Sequence, residues 1–406
     1  MTSRFTLVAA LAAIAVFAAL SAPVSAQTAA DDTFMARVNE MMAARGEYKS
    51  YEPRETLQGA AQVVPLPRAA KPTIPAATLQ TVRDYAAASK ASAFIVWRNG
   101  RIEQESYFGS YNAASPIVSK SLAKPLTALA IGRALKLGRI KSLDQPVADF
   151  ITEWQGKPQA AMKIRHLLDM RTGLLAQGFD AKPDNVWNRA YLDPDHGGYI
   201  VGQYPLTDAP GNIYEYSNAT SELVALVIER ATGRRYAEFV GTEVLQPISA
   251  PGGQVWLNRP GGLAHSGCCT MLPAQTWLRM AMLVLDQGRW KGKQLLPRGY
   301  VAEMMTATAQ NPHYGMGLWV AGPYVERRGF QNGTRPGPKV LHAKPYLARD
   351  LVLFDGNSNQ VVYIVPSARL IVLRTGDAPP RTPEWDNSFL PNTLLRGIGY
   401  KGKAQE

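Results

Sequence analysis

Apolar and polar positions change period along this chain, and each change predicts an element. Phe94-Ile95-Val96-Trp97 is a run of β-branched and aromatic residues, followed by Asn99-Gly100. That order predicts a strand, a tight two-residue turn and a returning strand through Ile102, Glu103 and Glu105 to Tyr107-Phe108. From Ser121 the period becomes helical. Leu122, Leu126, Leu129, Leu135 and Leu137, with alanines between them, make the segment apolar nearly all round. Such a helix belongs in a protein interior. Pro125 fits only a first turn, so the helix starts close to Ser121, and Gly138 suits its end. Helical patterns recur in "KIRHLLDMRTGL", "SELVALVIERATG" and "PAQTWLRMAMLVLDQG". Between them, residues 174–215 are sparsely patterned and carry Trp187, Tyr191, Tyr199 and Tyr204, which predicts a long loop shaping a cleft. Towards the C-terminus the period returns to that of strands. Val361–Val365 and Leu370–Arg374 flank Pro366-Ser367 as a hairpin.

Strands at both ends and helices in the middle predict an α/β (α+β) fold: one antiparallel sheet built from both termini, flanked by helices, with a mostly helical insertion at about 140–300. Residues 27–75 are rich in Ala, Pro and charge, and "VVPLPRAAKPTIP" excludes a helix there. They are expected as a partly extended lead-in to a helix near 76–89 and a domain over 76–406. Residues 1–26 have the form of a secretory signal peptide: Arg4, an apolar run, and Val24-Ser25-Ala26 as a small-x-small cleavage site. A periplasmic or secreted protein is expected, with no stable membrane insertion after cleavage.

The formal charge of +12 is spread without a dense block, which disfavours nucleic acid as a partner and allows proximity to an anionic cell envelope. The two cysteines, Cys268 and Cys269, are adjacent. Two buried free thiols are expected rather than a strained ring. The five histidines, His166, His196, His265, His313 and His342, show no close metal-ligand spacing. "DPDHGG" around His196 is expected as a polar loop rather than a cation site. No metal and no organic cofactor are expected.

Ser121 and Lys124 stand three apart at a helix start, so their side chains share a face. A serine hydroxyl needs a base to become a nucleophile, and a desolvated lysine can serve. Helix-start N–H groups can meet a developing oxyanion. Downstream, Tyr216-Ser217-Asn218 sits on a Pro- and Gly-rich turn before a helix. A tyrosine beside a lysine can relay a proton, and Asn218 can orient the lysine or hold a carbonyl. Each pair alone also suits ordinary roles, packing for Tyr216 and helix capping for Asn218.

Together, in this order, "SLAK" and "YSN" resemble the serine β-lactamase and penicillin-binding-protein superfamily. The similarity is to its class C-like branch, with the esterases and 6-aminohexanoate-dimer hydrolases. "AFIVWRNGRI", "GRIKSLDQPVADFI", "IRHLLDMRTGL" and "DQGRWKGKQLLPRGYV" extend it over roughly residues 90–375. The resemblance implies Ser121 as acylated nucleophile, Lys124 as its proton acceptor and Tyr216 as proton shuttle, in a cleft between a sheet domain and a helical domain. A third signature, Lys-Thr-Gly, is replaced by Phe354-Asp355-Gly356. Gly356 would let substrate approach the strand, and the N–H of Asn357 would pair with that of Ser121 as an oxyanion hole. Asp355 has the wrong sign to hold a carboxylate, unless it is a solvent-facing turn residue.

No G-x-S-x-G elbow and no Gly-rich phosphate loop are present. The expected function is an exported serine hydrolase cleaving a small-molecule ester or amide through a Ser121 acyl-enzyme. The alternatives are a penicillin-binding DD-peptidase or weak β-lactamase, and a catalytically inactive envelope-binding protein.

Overall fold

The computed structural model describes residues 24–44, 47–331 and 337–406. The signal-peptide reading falls almost wholly outside them. The main sheet has six strands, numbered here along the chain: β1 (Ala91–Arg98), β2 (Arg101–Tyr107), β3 (Trp319–Val320), β4 (Val352–Gly356), β5 (Gln360–Val365) and β6 (Leu370–Gly376). Their order is β2-β1-β6-β5-β4-β3, antiparallel throughout. The N-terminal hairpin and the C-terminal strands thus share one sheet, joined where β1 pairs with β6. The β1–β2 turn places Asn99 (φ 47°) and Gly100 (φ 89°) in the left-handed region that a two-residue turn demands.

The sheet is covered on both faces. Alternate residues of a strand point to opposite sides. Ala93, Ile95 and Trp97 of β1, with Ile371 and Leu373 of β6, enter the larger core. Phe94 and Val96, with Leu370 and Val372, enter a second core. Helices α2 (Ala76–Ala88) and α7 (Phe389–Gly397) cover that second face with Leu79, Val82, Leu390 and Leu394. This explains the unbroken apolar runs: a strand buried on both faces has no polar phase.

The larger core holds α3 (Ala123–Lys136), whose residues Ala123 through Ala134 are all buried. It packs on α5 (Asn218–Thr232), while α6 (Ala274–Leu285) lies against β5 and β6. Gly138 (φ 68°) follows the end of α3 in the left-handed region.

Three expectations are corrected. The lead-in is not merely extended: α1 (Val24–Ala43) occupies its first part, and Arg54–Leu57 joins a second sheet with Gly253–Trp256, Thr270–Pro273 and Pro116–Val118. Phe34 and Val38 form a helical stripe that buries against Tyr48, Tyr51, Leu192 and Trp256. The segment 174–215 carries two short helices, Val186–Leu192 and α4 (His196–Gln203). Asn185 caps the first by accepting from Asn188 N at 2.9 Å. His196 therefore starts a helix with its own side chain buried, instead of lying in a polar loop. Finally, Cys268 and Cys269 form a vicinal disulfide. Among the described residues no helix is long and apolar enough to cross a membrane.

Candidate active site

Ser121 lies in a single 3-10 turn, Lys120–Leu122, that feeds α3. The strand Pro116–Val118 delivers it, and Ser119 ties the turn to Thr270 by N–H donation at 2.8 Å and by accepting the Thr270 N–H at 3.1 Å. Lys120 has a φ of 50°. A left-handed non-glycine residue costs about 1–3 kcal/mol and persists only when its surroundings over-determine it. Here the Lys120 ammonium donates to Glu47 at 2.6 Å and to the Tyr51 hydroxyl at 2.8 Å. The segment after α1 thus clamps the residue next to Ser121.

Lys124 is 3% exposed. Its Nζ lies 3.2 Å from Ser121 Oγ, 3.0 Å from Asn218 Oδ1 and 3.1 Å from the Gly267 carbonyl. It also sits 4.8 Å from the centre of the Tyr216 ring. The Tyr216 hydroxyl donates to Ser121 Oγ at 2.9 Å. Its ring is wedged among Trp319, Tyr314 and Phe330, which fixes the hydroxyl's aim. The chain thus gathers Ser121, Lys124, Tyr216 and Asn218 at one point, from the start of α3 and the turn into α5. Gly267 escaped the sequence reading because its contribution is a backbone carbonyl, which every residue type possesses.

Gly356 ends β4 against the Ser121 turn. A Cβ there would meet Ser119 O at 3.0 Å, Leu122 N at 3.1 Å and Ser121 N at 3.3 Å. A side chain there would push the Ser121 turn back by a few tenths of an ångström, so glycine allows the closest approach of backbone to backbone. Gln360 fastens the same edge by donating to Val118 O at 2.7 Å.

Ser121, Asn218, Gln177 and Asn357 line both lobes of a cleft. One lobe, about 540 Å³, is walled by Trp319, Phe330 and Trp385. The other, about 380 Å³, is walled by Tyr48, Phe179, Trp187 and Cys268. Asp355 is not a solvent-facing turn residue. It is paired with the buried Arg328, which stacks 3.9 Å from the centre of the Trp319 ring. Burial pushes the Asp355 carboxyl above its ordinary pKa, against the opposing pull of Arg328. The wall of the cleft therefore offers a compensated ion pair where Lys-Thr-Gly would offer a free cation.

A two-faced antiparallel sheet, a helical lobe, and a serine–lysine–tyrosine cluster between them define the β-lactamase-type fold. The chain belongs to the Beta-lactamase family, whose model matches residues 79–382. Curated relatives include a 6-aminohexanoate-dimer hydrolase of Paenarthrobacter ureafaciens, 23% identical over 57% of this chain and 61% of that protein. Esterase EstB of Burkholderia gladioli is 32% identical over 32% of this chain and 35% of the esterase. The chain thus matches less than two thirds of the length of either relative. A solved Bacillus anthracis structure, provisionally described as a 6-aminohexanoate-dimer hydrolase, superposes with a TM-score of 0.63 at 18% identity, over 89% of this chain and 92% of that one. That likeness speaks to the fold.

Proposed function

We propose that the protein is an exported serine hydrolase that cleaves an ester or amide bond through an acyl-enzyme on Ser121. The observation that carries this reading is the convergence of Lys124 Nζ (3.2 Å) and the Tyr216 hydroxyl (2.9 Å) on Ser121 Oγ, on the floor of an open cleft. A neutral Lys124 amine has two hydrogens, and Asn218 Oδ1 and Gly267 O accept them. Its lone pair then faces Ser121 and takes the hydroxyl proton as the oxygen attacks the substrate carbonyl. The Tyr216 hydroxyl gives its proton to the leaving group and regains one from Lys124. Water completes the cycle by attacking the acyl-serine. The N–H groups of Ser121 and Asn357 stabilise the tetrahedral oxyanion, and Gly356 keeps the two backbones close enough to share it.

Two of the curated relatives, the 6-aminohexanoate-dimer hydrolase and esterase EstB, act on an amide oligomer or on esters by name, and the neutralised Asp355–Arg328 wall suits an uncharged acyl group. Export is supported by the Cys268–Cys269 disulfide, since such bonds persist in oxidising compartments. Cleavage after Ala26 would trim only the first residues of α1 and leave its Phe34–Val38 stripe whole.

Intact mass after exposure to a small activated ester tests the reading. The parent should gain the acyl mass or turn the ester over, and Ser121→Ala should do neither. Equal turnover by both proteins would refute Ser121 as nucleophile. A second reading, a penicillin-binding peptidase, is favoured by penicillin-binding protein 4* of Bacillus subtilis, 30% identical over 34% of this chain and 30% of that protein. Stable labelling of Ser121 by a fluorescent penicillin would select it.

A further inference from the structure

Three chemistry-bearing side chains meet in the interior of the helical lobe, on the far side of Gly267 from Lys124. His196 opens α4, Glu222 lies one turn into α5, and His265 stands on the loop before Thr270–Pro273. All are buried, at 0%, 1% and 0% exposure. None of their six side-chain nitrogen and oxygen atoms has a hydrogen-bond partner. The nearest approaches, 3.7 Å from His196 Nε2 and 3.6 Å from His265 Nδ1 to Glu222 Oε2, are too long for one. A carboxylate and two imidazoles left so in an interior carry a heavy desolvation cost, which calls for an explanation. One donor atom of each lies within 4.8 Å of the others.

We propose that His196, Glu222 and His265 bind one divalent transition-metal ion of the zinc type. Two neutral imidazole nitrogens and a carboxylate are an established donor set for such ions, and they leave a fourth position for water. A neutral imidazole has one ring nitrogen with a lone pair to give. The cysteines do not compete, because their sulfurs are joined to each other. The two imidazoles lie stacked, 4.0 Å apart at 13°. One ion cannot lie in both planes, so one ring turns on binding. His265 is pinned against Trp256, at 3.7 Å and 10°, with Tyr191 edge-on, so His196 is the ring that turns. Glu222 also borders the cleft beside Asn218 and Cys268.

The ion would not touch substrate. It would tie α4, α5 and the 265–269 loop together. Gly267 lies between it and the reaction centre: a Cβ there would fall 2.9 Å from Glu222 Oε1, while the Gly267 carbonyl holds Lys124. The fold alone assembles this set from distant segments, against the expectation of no metal.

The test equilibrates the folded full-length mature protein with Zn²⁺ or Co²⁺, removes excess ion, and measures metal per chain. One ion per chain is expected, with Co²⁺ visible absorption of a four- or five-coordinate site. Zinc-edge X-ray absorption should show two imidazole nitrogens, oxygen and no sulfur. His196→Gln and Glu222→Gln should each lower retention at least tenfold. If a variant fails to fold, the X-ray absorption of the parent decides. No retained ion, sulfur in the coordination shell, or full retention by folded variants would overturn the proposal. The last outcome would mark a protonated His–Glu–His cluster in place of a metal site.

Discussion

Ser121 has two hydrogen-bonding neighbours of different character, and substitutions should separate them. Lys124→Ala removes the group proposed to take the proton and leaves Asn218 Oδ1 and Gly267 O without their shared donor. A kcat loss of about 10⁴-fold is expected on an activated ester. Tyr216→Phe keeps the ring among Trp319, Tyr314 and Phe330, so stability should change little. Its kcat should fall about 10²–10⁴-fold, and less on esters with good leaving groups, which need no proton. A Tyr216→Phe enzyme equally slow on all leaving groups would contradict the relay. Gly356→Ala tests the close approach. Its Cβ meets three backbone atoms of the nucleophile turn, and backbone cannot step aside as a side chain can. Stability should drop by about 1–3 kcal/mol and kcat by about 10²-fold, read by urea unfolding and steady-state kinetics.

At the scale of elements, α1 does more than precede the domain. Phe34 is fully buried and stacks under Arg189, at 3.9 Å from the guanidinium carbon to the ring centre. Phe34→Ala should cost about 3–5 kcal/mol in urea unfolding, while Met42→Ala, at an exposed site on the same helix, should be near neutral. Equal effects would mean that α1 does not dock. The contrast shows which elements a sequence exposes. The sheet hairpins and α3 were legible because local period, turn residues and one proline fix them. Ser121, Lys124, Tyr216 and Asn218 were legible because each pair is local. The α1 stripe was obscured by the neighbouring proline-rich segment. The helices inside 174–215 are only about two turns long, too short for a period to emerge. The role of Gly267 and the meeting of His196, Glu222 and His265 arise only from long-range packing. Adjacency of Cys268 and Cys269 does not by itself fix their oxidation state.

Over the whole molecule, buried histidines set the acid limit. Burial lowers His166 to about 4 and His342 to about 3. His166 Nδ1 accepts the Lys163 N–H at 3.2 Å, which requires it unprotonated. The unfolded chain protonates both near 6.5. Below that value it therefore binds more protons than the folded chain. The stabilisation is complete above about 6.5 and is lost as pH falls towards the folded values, at a slope approaching about 1.4 kcal/mol per pH unit for each histidine. Urea midpoints between pH 7.5 and 4.5 should decline accordingly, and His342→Gln should flatten the decline. A midpoint independent of pH in that range would exclude the effect.

The pairing of β1 with β6 has a temporal consequence. Arg98 is opposite Leu370, so the strand that opens the sheet waits for one near the chain's end. Until residues 370–376 have emerged, β1 lacks one of its two neighbours, and the β3–β4–β5 group, whose β4 seats Gly356 against Ser121, has no strand joining it to β1. A chain synthesised only as far as β5 therefore has no assembled cleft. The proposed hydrolysis would therefore wait for residues 370–376 to join the two halves of the sheet.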